Sequence, residues 1–300
     1  MANAPLLSVI TVTRNLIEAG RRELFREAMD CVQAQSYGQV EHVIFDGLSD
    51  DGTVAMIDEA RNRLSGAGHP IVFETAQDAG LYDAMNKAVA LASGEYVLFL
   101  NSDDSLASET VLADLVAALG QDRPGFAFGG TLQTLADGST REFARTNLKS
   151  FLQRMPFCHN SMLVRKQVFE SLGGHDLSFR VASDYDFVFR MLQSGVTGRD
   201  ARLPASKYAD RGVSGDVLAV ARDYARVWSR YFGALTGQGE IDPETCLDWY
   251  RTGQLPVSMC YAAYRSAGNN DLVRQAALHS LKITLRRKLQ PWRHWDNLKG

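Results

Sequence analysis

The chain has 300 residues, 45% of them hydrophobic, which is ample for one large core with an appendage. A formal net charge of −3 gives no footprint for a nucleic-acid partner. The four cysteines, Cys31, Cys158, Cys246 and Cys260, lie far apart without a Cys-x-x-Cys pair, so a zinc site and a disulfide frame are both excluded as readings and a reducing cytoplasm fits.

In chain order, residues 8–12 read as a β-branched strand ending in the small polar stretch Thr13-Arg14-Asn15. A helix follows over roughly residues 18–35, with Leu24, Phe25, Ala28, Met29 and Val32 on one face. A second strand at 40–45 closes on Asp46-Gly47-Leu48-Ser49-Asp50-Asp51-Gly52-Thr53, an acidic, glycine-bearing loop that opens a helix at 54–64. A third strand at 71–74 leads to Asp78-Ala79-Gly80 and a helix over 81–92, for which Gly94 reads as the C-terminal glycine. The run Tyr96-Val97-Leu98-Phe99-Leu100 is too continuous for a half-exposed strand and predicts a central one, covered on both faces. It stops on Asn101-Ser102-Asp103-Asp104. Strand and helix in alternation predict a parallel sheet with right-handed crossovers, and ligands of such sheets sit beyond the carboxyl ends of the strands.

Three of these strands end in acidic loops. Two adjacent carboxylates repel unless a cation or a ligand hydroxyl stands between them. Hard oxygen ligands of that kind suit magnesium or manganese carrying a phosphorylated substrate. The alternative is that Asp103 or Asp104 caps the next helix, but Ser108, ahead of Val111, Leu112, Leu115, Val116 and Leu119, is the better cap. No Gly-x-Gly-x-x-Gly opens the first helix and no P-loop occurs, which argues against a dinucleotide fold and a P-loop enzyme. A carboxylate such as Asp46 can instead accept the ring N–H of uracil, thymine or guanine.

The segments Ser8 to Asn15, Asp46 to Thr53, Asp78 to Lys87 and Asn101 to Asp104 resemble glycosyltransferase family 2 in their order and approximate spacing. The resemblance covers roughly residues 6–215. It implies a GT-A fold, an α/β architecture with a mostly parallel, Rossmann-like sheet flanked by helices. It also implies Mn2+ or Mg2+ and an inverting transfer from a UDP-, GDP- or dTDP-sugar to a glycan or lipid-linked acceptor in surface-polysaccharide biosynthesis. Carried over by position, Thr11 and Asp46 meet the base with Asp78 nearby, and Thr13 and Asn15 belong to the same nucleotide-sugar set. Asp103 faces the ribose or the metal and Asp104 holds the metal, with Asn101 standing where the family often has Asp. Asn86 and Lys87 lie early in a helix aimed at the site, the lysine toward phosphate. His159, within Pro156 to Arg165, falls where the family places a histidine near the diphosphate or metal. Arg211, in Arg211-Gly212-Val213-Ser214, meets phosphate from a closing loop.

An inverting transferase needs a base for the acceptor hydroxyl. Ser183-Asp184 resembles the family's Glu-Asp motif with Ser183 in place of Glu, which makes Asp184 the candidate base, Ser183 an N-cap and Asp184 the first helical residue. The plain reading of Asp184 and Asp186 is two acids stabilised in a helix's first turn.

Residues 1–215 are thus expected to form the catalytic domain, a nucleotide half of about 1–105 and an acceptor half of about 106–215. Residues 216–300 form a helical extension, with helices at 217–232, 243–251, 256–266 and 271–289. Its end, Lys282 to Trp295, sets basic residues beside leucine and tryptophan, which suits peripheral contact with an anionic membrane at the inner face of the cell. No signal peptide or membrane span is expected. Two other readings remain at this point, a nucleotidyltransferase on a related sheet and a nucleotide-sugar binder without turnover.

Overall fold

The computed structural model describes residues 4–66, 68–135, 139–144, 146–209, 216–237 and 239–289. The chain forms two compact units. The first comprises Met1–Thr146, Phe157–His175 and Thr197–Gly212; the second comprises Asn147–Pro156, Asp176–Val196 and Val213–Gly300. This division differs from the sequence boundary at 215/216, because the helical unit takes in two earlier segments, one of which carries Asp184.

The first unit contains β1 (Leu7–Thr13), α1 (Arg22–Gln33), β2 (Val40–Asp46), α2 (Thr53–Leu64), β3 (Ile71–Thr75), α3 (Leu81–Leu91), β4 (Tyr96–Phe99), β5 (Ser105–Leu106), α4 (Val111–Leu119), β6 (Phe126–Thr134), β7 (Thr140–Ala144), β8 (Met162–Arg165), α5 (Lys166–Ser171) and, after the chain returns, β9 (Gly198–Ala209). They form one sheet in the order β3-β2-β1-β4-β8-β6-β9-β5, with β7 on β6. Strands β3, β2, β1 and β4 run parallel, while β8 is antiparallel to both β4 and β6. The order reverses between β1 and β4, so the crevice of a parallel sheet opens beyond the carboxyl ends of those two strands.

Every residue of β1, β2 and β4 is buried, for β4 as its continuous apolar run predicts. Burial extends to the polar residues of β1 and β2, which pair across the strands, with His42 Nδ1 left without a hydrogen-bond partner among the described residues. Ser8 Oγ donates to Glu41 Oε1 at 2.6 Å, Thr11 Oγ1 and His42 Nε2 lie 3.0 Å apart, and Thr13 Oγ1 donates to Asp46 Oδ2 at 2.8 Å. Burial, with the charge of His69 adding to it, pushes the His42 imidazole down to about 3, so it is neutral in the folded state.

Several helix ends differ from expectation. Helix α1 starts at Arg22 rather than near 18, because Leu16 N–H goes to Thr53 Oγ1 and Glu18 N–H to Asp51 Oδ2, both at 2.8 Å. Those bonds hold the segment as a loop stapled to the next one. Helix α4 has Thr110 at its N-cap position, without a side-chain cap, and Ser108 lies outside it. Gly94 is not a left-handed C-cap; Ala92, extended, ends α3. Gly94 is instead a point of close approach, where a Cβ would strike Ser8.

The second unit holds α6 (Ser183–Gln193), α7 (Val217–Thr236), α8 (Pro243–Thr252), α9 (Val257–Ser266) and α10 (Asp271–Leu289). Trp228 and Phe232 of α7 are fully buried, and Trp228 Nε1 donates to Tyr185 OH at 3.0 Å. Tyr185 OH in turn donates to Phe151 O at 2.8 Å, and its ring stacks on Tyr224 at 4.0 Å between centroids. Helix α8 begins with Asp242 as a side-chain cap and Pro243 in its first turn, and ends on left-handed Gly253. No helix among the described residues is long and apolar enough to cross a membrane.

Candidate active site

In the first unit, Thr11, Thr13 and Asp46 lie on β1 and β2, and the loops after β1, β3 and β4 carry Asn15, Asp78, Asp103 and Asp104. Beyond β4, Asp103 is 9% exposed and Asp104 3%. Arg21, in the loop before α1, reaches Asp103 Oδ2 at 3.2 Å. Asp104 Oδ2 accepts from Asn101 Nδ2 at 3.0 Å and from Asn160 Nδ2 at 2.8 Å. Neither carboxylate caps α4. Asn101, standing where a further carboxylate was weighed, turns its amide into a donor for Asp104. Its Oδ1 lies 3.4 Å from His159 Nε2, so His159 belongs to the same cluster.

Asn160 had not been singled out. It is 2% exposed and is itself fixed from below: Ser206 Oγ donates to Asn160 Oδ1 at 3.2 Å, and Ser206, Ser161 and Thr131 continue as a buried hydroxyl chain. The only signal in the sequence was an amide sitting directly after His159.

Beyond β1 and β2 the expected base-binding residues are committed elsewhere. Thr11 is fully buried, two residues short of the strand end, and faces His42. Asp46 is also fully buried; Thr13 Oγ1 and Ser49 Oγ donate to its Oδ2, and Ser49 N–H and Thr75 Oγ1 to its Oδ1. These four donors make Asp46 and Thr13 the fastening of the loop rather than surfaces offered to a base. Asn15, at φ 47°, continues the fastening: its N–H goes to Ser49 Oγ at 2.8 Å and its amide pairs with Asp50.

Asp78, after β3, packs its carboxylate over Gly47, where a Cβ would collide with Oδ2. Its other oxygen accepts Gly80 N–H at 2.8 Å and lies 3.8 Å from the exposed Arg14 guanidinium. Asn86 is held away from any ligand by a two-way amide pairing with the backbone of His175, each bond 2.9 Å. Lys87 Nζ closes on Asp83 Oδ2 and Gln77 O, each at 2.7 Å, and the lysine holds the Asp83 carboxyl below its usual range. Both side chains brace their loops in this way, Asn86 to the backbone of His175 and Lys87 to Gln77 in the segment before α3 and to Asp83. Arg211 lies outside the described residues.

In the second unit, α6 starts one residue earlier than expected: Ala182 is the N-cap and Ser183 the first helical residue, its Oγ donating to Asp176 O at 2.9 Å. Asp184 is partly exposed and its Oδ1 accepts the N–H of Tyr185 at 2.8 Å. Asp186, by contrast, is buried; burial raises its carboxyl while the Arg190 guanidinium at 2.7 Å opposes that rise. Asp186 is thereby occupied by its own helix, and Asp184 is the acid of this turn that solvent reaches.

A model of the family described as "Glycosyl transferase family 2" matches residues 8–181. A PGL/p-HBAD biosynthesis glycosyltransferase of Mycobacterium tuberculosis is 31% identical over 188 residues, covering 62% of this chain and 70% of that protein. Among solved structures, Staphylococcus aureus TarS 1-349 in complex with UDP-GlcNAc superposes with a TM-score of 0.60 at 13% identity, covering 95% of this chain and 92% of that one. The mannosyltransferase PcManGT of Pyrobaculum calidifontis, in complex with GDP-Man and Mn2+, gives a TM-score of 0.59 at 18% identity, covering 93% and 88%. The curled sheet flanked by helices is that of the GT-A fold.

Proposed function

The chain belongs to glycosyltransferase family 2 and is an enzyme that transfers glycosyl groups, and on that premise we propose an inverting, metal-dependent transfer from a nucleotide-diphosphate sugar to a hydroxyl of a glycan or lipid-linked acceptor. The observation that carries this reading is the Asp103-Asp104 pair, buried beyond β4 at the point where strand order reverses. The donor set fits a hard divalent cation such as Mn2+ or Mg2+. It offers successive carboxylates, one of them braced by two amides, and no group of three or more His, Cys, Asp or Glu that could hold a metal occurs among the described residues. Such a site takes its remaining ligands from water and substrate phosphates. Asp104 would hold the cation, with Asp103 beside it or at the ribose; when bound, the cation neutralises charge on the departing diphosphate. TarS was crystallised with UDP-GlcNAc and PcManGT with GDP-Man and Mn2+, which supports a nucleotide-sugar donor here.

In the reaction, Asp184 takes the proton of the acceptor hydroxyl as that oxygen bonds to the anomeric carbon. The bond from that carbon to the diphosphate oxygen breaks, and the nucleoside diphosphate leaves with the electron pair. The transfer inverts the centre because attack and departure are on opposite faces. Base selection falls to Asp78 and Arg14, which lie at the strand ends, in place of Thr11 and Asp46. A surface-polysaccharide pathway and peripheral attachment at the inner membrane face belong to the same proposal.

Calorimetric titration with UDP-, GDP- and dTDP-sugars, with and without Mn2+, tests the donor half. Binding of one nucleotide class that disappears without metal and in Asp104→Asn is the expected result; binding indifferent to metal overturns the role given to the carboxylates. Asp184→Asn tests the other half and should keep donor affinity while losing turnover. A nucleotidyltransferase would instead release pyrophosphate from a nucleoside triphosphate, and a turnover-free binder would ignore Asp184→Asn.

A further inference from the structure

Helix α7 carries no motif, yet one of its faces grips the segment that leads into α6. Asp223, 5% exposed, gathers three consecutive backbone N–H groups on its Oδ2: Arg180 at 2.9 Å, Val181 at 2.8 Å and Ala182 at 3.2 Å. Ala182 is the N-cap of α6, whose start has no side-chain cap of its own. One and two turns further along α7, Arg226 and Arg230 enclose the ring of Phe179, each 4.8 Å from its centroid. Arg226 NH1 donates to Ser178 O at 2.7 Å, and Arg230 donates to Asp176 Oδ2 at 2.6 Å and Ser178 Oγ at 3.0 Å. Residues 176–182 are thus fixed from three points spaced i, i+3, i+7.

We propose that Asp223 is a positioning residue for Asp184, and that the helical extension serves to set the aim of the base; the inference rests on the reading of Asp184 given above. A carboxylate accepting three successive N–H groups fixes the backbone of all three, in a buried setting where hydrogen bonds to charge are strong. Asp184 follows Ala182 by two residues, so a change in that backbone is delivered directly to the base. Transfer is sensitive to such displacement, since an error of about 1 Å at a reacting group can cost on the order of 10²-fold in rate. The clamp acts on the backbone that leads to the base, so its removal should act on turnover and not on donor affinity.

The test uses the full chain as Asp223→Ala, Asp223→Asn and Arg230→Gln, with the nucleotide sugar that calorimetry selects from the UDP-, GDP- and dTDP-sugars plus Mn2+. Three quantities are read: amide hydrogen exchange over 176–186, donor Kd, and the rate of nucleoside-diphosphate release. Asp223→Ala should raise exchange in that segment, leave Kd within about twofold and lower kcat on the order of 10²-fold. Asp223→Asn, which keeps an acceptor oxygen without the charge, should recover part of kcat. If Asp223→Ala folds too poorly to assay, Asp223→Asn and Arg230→Gln carry the test with the same signs. Faster exchange over 176–186 with wild-type kcat overturns the proposal, as does a loss that falls equally on Kd. Full turnover in Asp184→Asn overturns the base assignment itself, an outcome separate from any behaviour of Asp223.

Discussion

Asn160 donates from Nδ2 to Oδ2 of Asp104 over 2.8 Å, joining residues 56 positions apart, and both side chains are almost wholly buried. The amide is anchored through Ser206 to the hydroxyl chain beneath it, so Asp104 is oriented by the sheet and not by its loop alone. Partners of this kind behind a metal-bearing carboxylate are worth roughly 10–100-fold in metal affinity or activity. Asn160→Ala should therefore weaken metal-dependent donor binding by about that factor, and Asn160→Asp by more, since it adds a like charge. Titration of the donor at a series of MnCl2 concentrations reads both.

Asp46 offers a contrasting expectation. Removing its carboxylate in Asp46→Ala strips an acceptor from Thr13, Ser49 and Thr75 at once. Leaving a buried donor unpaired costs about 1–3 kcal/mol, and among these donors Thr13 is buried, Ser49 half-buried and Thr75 exposed, so a loss of about 1–3 kcal/mol in stability is expected. Urea unfolding should show a lower midpoint with an unchanged slope. A normal midpoint together with lost donor binding would return Asp46 to the ligand.

His42 gives a pH signature. Its imidazole is held neutral down to about 3 in the folded chain, against an ordinary value near 6.5 once unfolded. Below pH 6.5 the unfolded state takes up a proton that the folded state refuses, so stability is present above that pH and is lost progressively as pH falls toward 3. His42→Gln, which keeps an amide for Thr11 and removes the titration, should flatten the decline of melting temperature across that window. An identical decline in both proteins would assign it to other groups.

Helix α10 bears on membrane contact. Leu278, Leu285 and Leu289 are 53%, 46% and 77% exposed, with exposed Lys282, Arg286 and Lys288 among them; Trp292, Arg293 and Trp295 lie outside the described residues. Co-sedimentation with vesicles containing anionic lipid should exceed that with neutral vesicles, and should fall with salt and in Lys282→Glu/Arg286→Glu. Equal pelleting with both vesicle types would remove the electrostatic contact.

The strands were legible because β1 and β2 are rich in β-branched and apolar residues and β4 is a continuous apolar run, and the acidic loops stand directly after β2 and β4. The roles of the polar residues on them were not. Whether Thr11 faces a ligand or a neighbour depends on the register that sets β1 against β2, with Thr13 opposite Asp46, and periodicity along one strand does not contain that register. The bond that holds Asn86 was hidden for a related reason, since its partner, the His175 backbone, is 89 positions away. Strands β6 and β9 hide differently: their pairing shifts between Phe128 and Gly130 and again between Gly130 and Thr131, which breaks the period of two. Asp223 was invisible because three of its bonds go to backbone, and backbone donors leave no trace in residue identity.

The seat of Asp78 over Gly47 couples the two loops that follow the paired strands β2 and β3. A hydrogen atom in place of a side chain at 47 is the room in which the carboxylate at 78 lies. In a related chain with any larger residue at the first position, the second must be shorter or its loop must run elsewhere. Divergence at these two loops is thereby constrained to paired steps: a lineage that changes one of them has to change the other with it.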